Sequence, residues 1–568
     1  MKDRIGPLLL AAGVAVLVLT GWRVFFFLTD DAFIAFRYAS NSMLGYGLVW
    51  NPPPFQPVEG YTSWLWVVLL RWVWWLTGAQ PPLAANYLAL ACGCATLVVG
   101  ALLVREVALP DRLARVRLAL LALVLLGTAT NRTFLAWLSS GLETALFNLC
   151  VTFWIYQALR RSRPLERRRI FWLSMGAAAS ALTRPDGLLF AAATIVLVGI
   201  DLLEAPGSMR TRVRRAVWSF PLLLPVVHLF WRRAKYGEWL PNTYYAKHLA
   251  PWPESGVRYL AAFVLEYALW FWVALVLAWS VVWALKSRRI DPKALVVMGA
   301  VLGQVGYYTL QIGGDHFEYR VYSHLILLIL VSTVWLLARL DLRPAVALLA
   351  LGSFVMVSWP VPWVHWWETR DLRTRKETLF MVRPIAERFP TPLRSYVGAF
   401  DTLQAWLIRH AVGVRHQEHK IYAEFRQRTL PSREQGERIR WQDHPVHATG
   451  QVGVVGWVLP HVAIIDLEGL NDHVVARTAS RSAERRMAHD REPPAGYVEC
   501  FRPNVRARWE PAGGRKLART RDVRSLGGAD GVSAARPAIV PRVAERSTAL
   551  DDDSIAACEQ HYRKLLED

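Results

Sequence analysis

Apolar residues along the chain gather into long runs separated by short polar stretches up to about position 360, and there the runs stop. The first, residues 7 to 28, is long enough to cross a bilayer as a helix at about 20 residues per crossing. Further runs near 83–104, 118–134, 142–159, 170–183, 187–203, 216–234, 259–285, 294–312, 321–338 and 344–360 bring the expected number of spans to 11. The Trp-rich stretch 61–77 is short and interrupted by Arg71, so it is expected to lie on the membrane surface. Residues 31–44 predict a short helix, because Asp30, Arg37 and Asn41 recur at helical spacing and Gly45-Tyr46-Gly47 ends the pattern.

Charge orients this arrangement. With 61–77 on the surface, Arg105, Arg112, Arg115 and Arg117 fall on the same side as Lys2 and Arg4. The clusters at 160–169, 210–215, 286–293 and 339–343 follow them, which the positive-inside tendency assigns to the cytoplasm. The N-terminus is therefore expected inside and the C-terminus outside. The first run ends in Phe25-Phe26-Phe27-Leu28-Thr29-Asp30, without the small residues a signal peptidase needs, and is expected to stay as an anchor.

Beyond 361 the pattern changes to mixed helix and loop. Gln451–Val458 and Val462–Asp466 read as two short strands joined at Leu459-Pro460-His461. The expected fold class is thus a multi-spanning α-helical membrane protein with about 11 spanning helices, interfacial helices and a C-terminal mixed α/β extracytoplasmic domain. The divisions fall at 1–360 (membrane domain), 361–505 (periplasmic domain) and 506–568 (basic, largely flexible tail, with a short helix near 552–566).

Composition agrees: 568 residues, 54% hydrophobic, with 27 Trp. The net charge of +21 sits largely in short clusters between apolar runs, so it marks cytoplasmic loops and no nucleic-acid partner is expected. Of the five cysteines, Cys500 and Cys558 form the one plausible disulfide if their segment is extracytoplasmic.

With this topology every loop of unusual polarity faces outward. Asp30 and Asp31 follow the first span directly, where two adjacent acids repel each other and lose hydration. They are the candidate catalytic pair, and they equally suit capping of the helix that follows. A carboxylate there, facing cations, suits group transfer from a lipid-linked phosphate: the acid takes a proton from an acceptor hydroxyl and the cations stabilise the departing phosphate. No nucleotide is available on that side and no cofactor is expected. Arg320, Lys247, His248 and Arg184 are the candidate phosphate ligands, although Arg184 in Arg-Pro-Asp-Gly also suits bracing a hairpin through Asp186. Candidate substrate contacts are Arg37, Glu59, Tyr244, Tyr245, Asp315, His316, Glu318, Asp466 and Asp472. Asp315 and His316 lack a third ligand at recognised spacing, so no metal is expected. Glu143 opens a span and reads as a partner of its helix dipole.

Asp-Asp-Ala-Phe-Ile-Ala-Phe-Arg-Tyr-Ala at 30–39, Gly-Leu-Val-Trp-Asn-Pro at 47–52, Glu-Gly-Tyr-Thr-Ser at 59–63, Ser-Gly-Leu-Glu-Thr at 140–144 and Arg-Pro-Asp-Gly at 184–187 resemble the GT-C-type polyprenyl-phosphate-sugar glycosyltransferases. Within that class the chain is similar to the terminal β-(1→2) arabinofuranosyltransferase family of the mycobacterial cell wall, and the similarity extends to Ile465–Asp472. The resemblance implies an inverting transferase of the bacterial inner membrane. Its donor would be a decaprenyl- or undecaprenyl-phosphoryl sugar, and its acceptor a cell-envelope glycan held with help from the C-terminal domain. Asp30 matches the family's acidic base position, with Asp31 beside it. Two alternatives stand beside this reading: a lipid-linked sugar transporter, and a non-catalytic envelope or flagellar-motor-control protein.

Overall fold

The computed structural model describes residues 2–160, 166–204, 208–247, 250–285, 291–371, 382–441, 444–479, 485–488, 490–505 and 551–567. His248, residues 506–550 of the expected 506–568 tail and parts of the 160–169 and 286–293 charge clusters lie outside them.

The protein is a multi-spanning α-helical membrane protein. Among the described residues seven helical segments are long and apolar enough to cross a bilayer: Ile5–Val24, Pro81–Glu106, Pro185–Glu204, Met209–Tyr236, Pro292–Ile312, Arg320–Arg339 and Pro344–Thr369. The expected span at 259–285 is instead two helices, Pro253–Glu266 and Trp270–Leu285, bent by 93°. Two features make the corner. Ala268 takes a left-handed φ of 50°, and Glu266 is buried against Arg132, which holds the end of the first helix inside the protein. The runs expected at 118–134, 142–159 and 170–183 form shorter helices, Arg117–Ala129, Thr144–Leu159 and Arg167–Thr183. Trp64–Thr77 is 14 residues long and packs on both the Ala32–Met43 and the Pro81–Glu106 helices.

Two strands, β1 (Val446–Thr449) and β2 (Ala463–Asp466), pair in parallel with Val446 opposite Ala463. The strand expected at 451–458 is a helix, Gly453–Val458, and the partner of β2 is the segment before it. Tertiary contacts override the β-branched propensity here. Both oxygens of Asp30 accept from the Gly453 and Val454 amides, at 3.1 and 2.9 Å, at the start of the helix. At its other end Arg37 donates to the Gly456 and Leu459 carbonyls at 2.7 and 3.0 Å. An acid at the amide end and a base at the carbonyl end both complement the helix dipole.

Arg37 also donates to Trp50 O at 2.8 Å, Val462 O at 2.7 Å and Asn51 Oδ1 at 3.3 Å, and its side chain is wholly buried. Asn51 in turn accepts from Ile464 N–H at 2.8 Å, which sets the start of β2. The first short helix, the 47–52 segment and the sheet thus share one set of polar contacts.

Cys500 and Cys558 are disulfide-bonded with their Cα atoms 6.0 Å apart. The bond fastens the Asp552–Glu567 helix beside Tyr497 and Phe501, and Glu559 accepts from Gln56 N–H at 2.8 Å.

Two outcomes follow. Arg37→Ala strands several buried carbonyls and lowers stability by more than about 3 kcal/mol. Arg37→Lys does not restore it, because an ammonium lacks the planar fork; thermal melting with protease sensitivity of 453–466 measures both. Burial raises Glu559 from 4.5 to about 7, against the Gln56 amide and Arg563, with Asp472 adding to the rise. A raised carboxyl contributes stability that is present below its unfolded pKa and is lost as pH rises through about 7. Glu559→Gln therefore raises the melting midpoint at pH ~8 and leaves it unchanged near pH ~4.

Candidate functional site

The segment after the first span is held in place by the 139–141 loop. Ser140 N–H donates to Phe27 O and Thr29 N–H to Ser140 O, each at 3.0 Å. Asn86 joins them, donating to Phe27 O at 2.9 Å and accepting from Gly141 N–H at 3.0 Å. Trp66 Nε1 donates to Gly141 O at 3.0 Å. Gly141 has φ 77°, and a Cβ there would stand 2.8 Å from Ala32 Cβ, so glycine is required by both backbone angle and space. The Ser-Gly-Leu-Glu motif is therefore a mould for the acid pair.

Within the pair the two carboxylates differ. Asp30 is anchored by the Gly453 and Val454 amides; burial, with the neighbouring Asp31 charge, raises it above its ordinary value, against those amides and the Arg426 charge. Asp31 is partly exposed and its carboxylate has no hydrogen-bond or ion-pair partner among the described residues.

Glu143 lies three residues beyond Ser140 and stands 3.7 Å from Arg320 Nη1. Arg320 also meets Asp315 at 2.8 and 3.3 Å and lies over the Phe317 ring, 4.5 Å from its centroid. Arg184 pairs with Asp186 at 3.1 Å, as hairpin bracing requires, and donates to the Tyr308 hydroxyl. Gln304 holds the other oxygen of Asp186 at 2.7 Å. Arg184 feels the charges of Glu143 and Asp315, so the 140–144, 184–187 and 313–320 segments meet at one end of the bundle.

The Asn242–Lys247 helix belongs to the same end, since Tyr244 lies within electrostatic reach of Tyr307, which also faces Asp186 and Arg184. Asn242 fixes this helix through the carbonyls of Gly469, Leu470 and Asp472, at 2.8, 3.1 and 2.9 Å. Lys247 is half-buried and its ammonium has no partner among the described residues. Tyr245 donates to Glu238 at 3.2 Å under the Arg477 guanidinium, whereas Tyr244 is 38% exposed.

Several expected substrate contacts are instead consumed by the fold. Arg37 spends every nitrogen on internal acceptors. Glu59 is buried in an ion pair with Arg232. Asp466 accepts from the Glu468 and Asn471 amides at 3.0 and 2.8 Å, and burial raises it to about 7. Asp472 accepts from Val474 and Val475 N–H, both at 3.0 Å, and from the Tyr497 hydroxyl at 2.8 Å. His316 bonds Ala411 O at 2.8 Å.

Glu318 is buried away from the open cluster, in a group with residues the sequence reading did not single out. Arg132 Nη2 lies 2.8 Å from both Glu266 and Glu318, and Arg415 Nη1 stands 3.2 Å from His365 Nε2. Ligand atoms of Glu266, Glu318 and His365 fall within 4.8 Å of one another, a donor set a metal ion can use. Arg132 already places a positive charge between the two carboxylates. A charged residue within the apolar run at 259–285 was the available signal for Glu266.

No protein-family model matches the chain, and no curated protein matches it. Among solved structures, the crystal structure of ArnT from Cupriavidus metallidurans bound to undecaprenyl phosphate aligns with a TM-score of 0.49 at 10% identity, over 80% of this chain and 85% of that one.

Arg132→Met leaves two buried carboxylates facing each other and lowers stability by about 3–5 kcal/mol. Adding Glu266→Gln and Glu318→Gln recovers most of that loss, as read by thermal melting of the purified protein.

Proposed function

We propose that the chain is an inverting membrane glycosyltransferase that moves a sugar, arabinofuranose by the motif resemblance, from a polyprenyl-phosphate donor to a hydroxyl of a cell-envelope glycan. The observation that carries this reading is the open Asp31 carboxylate beside the anchored Asp30, joined through Ser140 to the loop that bears Glu143 and meets Arg320. In this reading the acid-pair face is periplasmic, the N-terminus is cytoplasmic and the membrane is the bacterial inner membrane.

The reaction needs a base, a cation and a donor carrying its own energy. Asp31 takes the acceptor hydroxyl proton, and Asp30, anchored on the Gly453 and Val454 amides, fixes the segment that carries it. The acceptor oxygen forms its bond to the anomeric carbon on the face opposite the phosphate. The bond from that carbon to the phosphate oxygen breaks, and its electron pair leaves with the polyprenyl phosphate. Lys247, whose ammonium is uncommitted, and Arg320, which remains partly open beside Asp315, meet the growing phosphate charge. Tyr244 offers an exposed ring against which a sugar stacks. No metal or cofactor is part of this reading.

The test is release of polyprenyl phosphate by the purified protein from a polyprenyl-phosphoryl arabinose and an arabinan acceptor. Asp31→Asn lowers kcat by at least about 100-fold, the usual scale of a lost general base, with the melting midpoint unchanged. Asp30→Asn lowers both, because it also loosens the Gly453–Val458 helix. Full turnover by both variants sinks the assignment.

A further inference from the structure

At the end of the bundle opposite Asp30 the structure holds a cavity of about 420 Å³, lined by Leu102, Arg105, Glu106, Leu109, Arg117 and Tyr156. Asn86, which touches the acid-pair loop, and Arg105 lie on one helix, Pro81–Glu106, about 28 Å apart at 1.5 Å per residue. That separation is close to the thickness of a hydrocarbon core of about 30 Å, so the cavity sits at the other membrane boundary.

Its charges sort into fixed and open ones. Arg117 Nη1 donates to the carbonyls of Val104, Arg105 and Val107 at 2.9, 2.9 and 3.1 Å, closing the negative end of the helix dipole. Glu106 faces the charge of Arg169, which is itself fixed by the Gln157 and Ala158 carbonyls, each at 2.8 Å. Arg105 is exposed, and its guanidinium has no hydrogen-bond or ion-pair partner among the described residues. The Tyr156 hydroxyl likewise has none among them. An uncompensated cation and a free hydroxyl therefore face a predominantly polar chamber to which Leu102, Val107 and Leu109 contribute a smaller apolar part.

We propose that this cavity binds the headgroup of an anionic glycerophospholipid. The phosphodiester pairs with Arg105 and accepts from Tyr156, and the side chains of Leu102, Val107 and Leu109 meet the first carbons of the acyl chains. Basic chambers between helix ends at a membrane boundary select acidic headgroups in this way. A free phosphate offers the same charge and leaves Leu102, Val107 and Leu109 without a partner in the cavity. The proposal is independent of the transferase reading.

The experiment is native mass spectrometry of the full-length protein released from vesicles of phosphatidylglycerol and phosphatidylcholine in about equal parts. The wild type is expected to retain phosphatidylglycerol selectively. Arg105→Ala lowers that retention about tenfold, the scale of one charge-assisted contact, and Tyr156→Phe lowers it about threefold. Arg115→Ala, exposed and outside the cavity, leaves it unchanged. Equal retention of both lipids, wild-type retention by Arg105→Ala and Tyr156→Phe, or an equal loss in Arg115→Ala overturns the proposal. Displacement of the lipid by millimolar inorganic phosphate, which marks a free-anion site, overturns it as well.

Discussion

The buried guanidinium of Arg37 is the contact on which the rest of the structure depends. A charge removed from water is tolerated only when its hydrogen-bonding capacity is filled, and Arg37 fills its own with four carbonyls and one amide oxygen drawn from the 47–52 segment and from 456–462. Asp30 sits seven residues earlier, two turns along the same short helical stretch, and grips the other end of the Gly453–Val458 helix. A single pair of opposite charges on one stretch of chain therefore orients a short helix by its dipole. Through that helix the chain after 440 is registered against the Ala32–Met43 helix.

This coupling explains why two neighbouring acids have different fates. Asp30 is committed to backbone amides, which favour its charged form, while burial and the charge next door disfavour it. Asp31 points out of that arrangement with its valence unspent. The pair is thereby split into an anchored member and an open one without any third group being needed. The same division runs through the arginines at this end. Arg184 is consumed by Asp186 and Tyr308, Arg232 by Glu59 and Arg132 by two glutamates, while Arg320 bridges Asp315 and Glu143 at a surface that is still partly open.

Much of this was legible in the residues before any coordinates. Length and apolarity located the spans, and glycine placement ended the first short helix where Gly45 and Gly47 take left-handed angles. The Cys500 and Cys558 pairing followed from their isolation in the polar part of the chain. The misreadings share a cause, which is that long-range contacts override local pattern. Val-Gly-Val-Val-Gly-Trp-Val reads as a strand in isolation and becomes a helix because Asp30 and Arg37, more than 400 positions away, supply both caps. The 259–285 run reads as one span because periodicity carries no information about Arg132, whose ion pair with Glu266 turns the chain at Ala268. Asp466 and Asp472 invited a substrate role, since nothing local reveals that their oxygens close the turns after β2.

Valence thus separates structural charge from chemical charge more sharply than position does. Asp466 and Asp472 lie in the stretch to which the motif resemblance extends, yet each of their carboxylates is occupied by amides within a few residues, in the turn that holds Asn242 and, through it, the Asn242–Lys247 helix. Asp472 O and its neighbours set the platform from which Lys247 projects. Asp31 and Lys247 are at the opposite extreme, charged, partly exposed and without partners among the described residues.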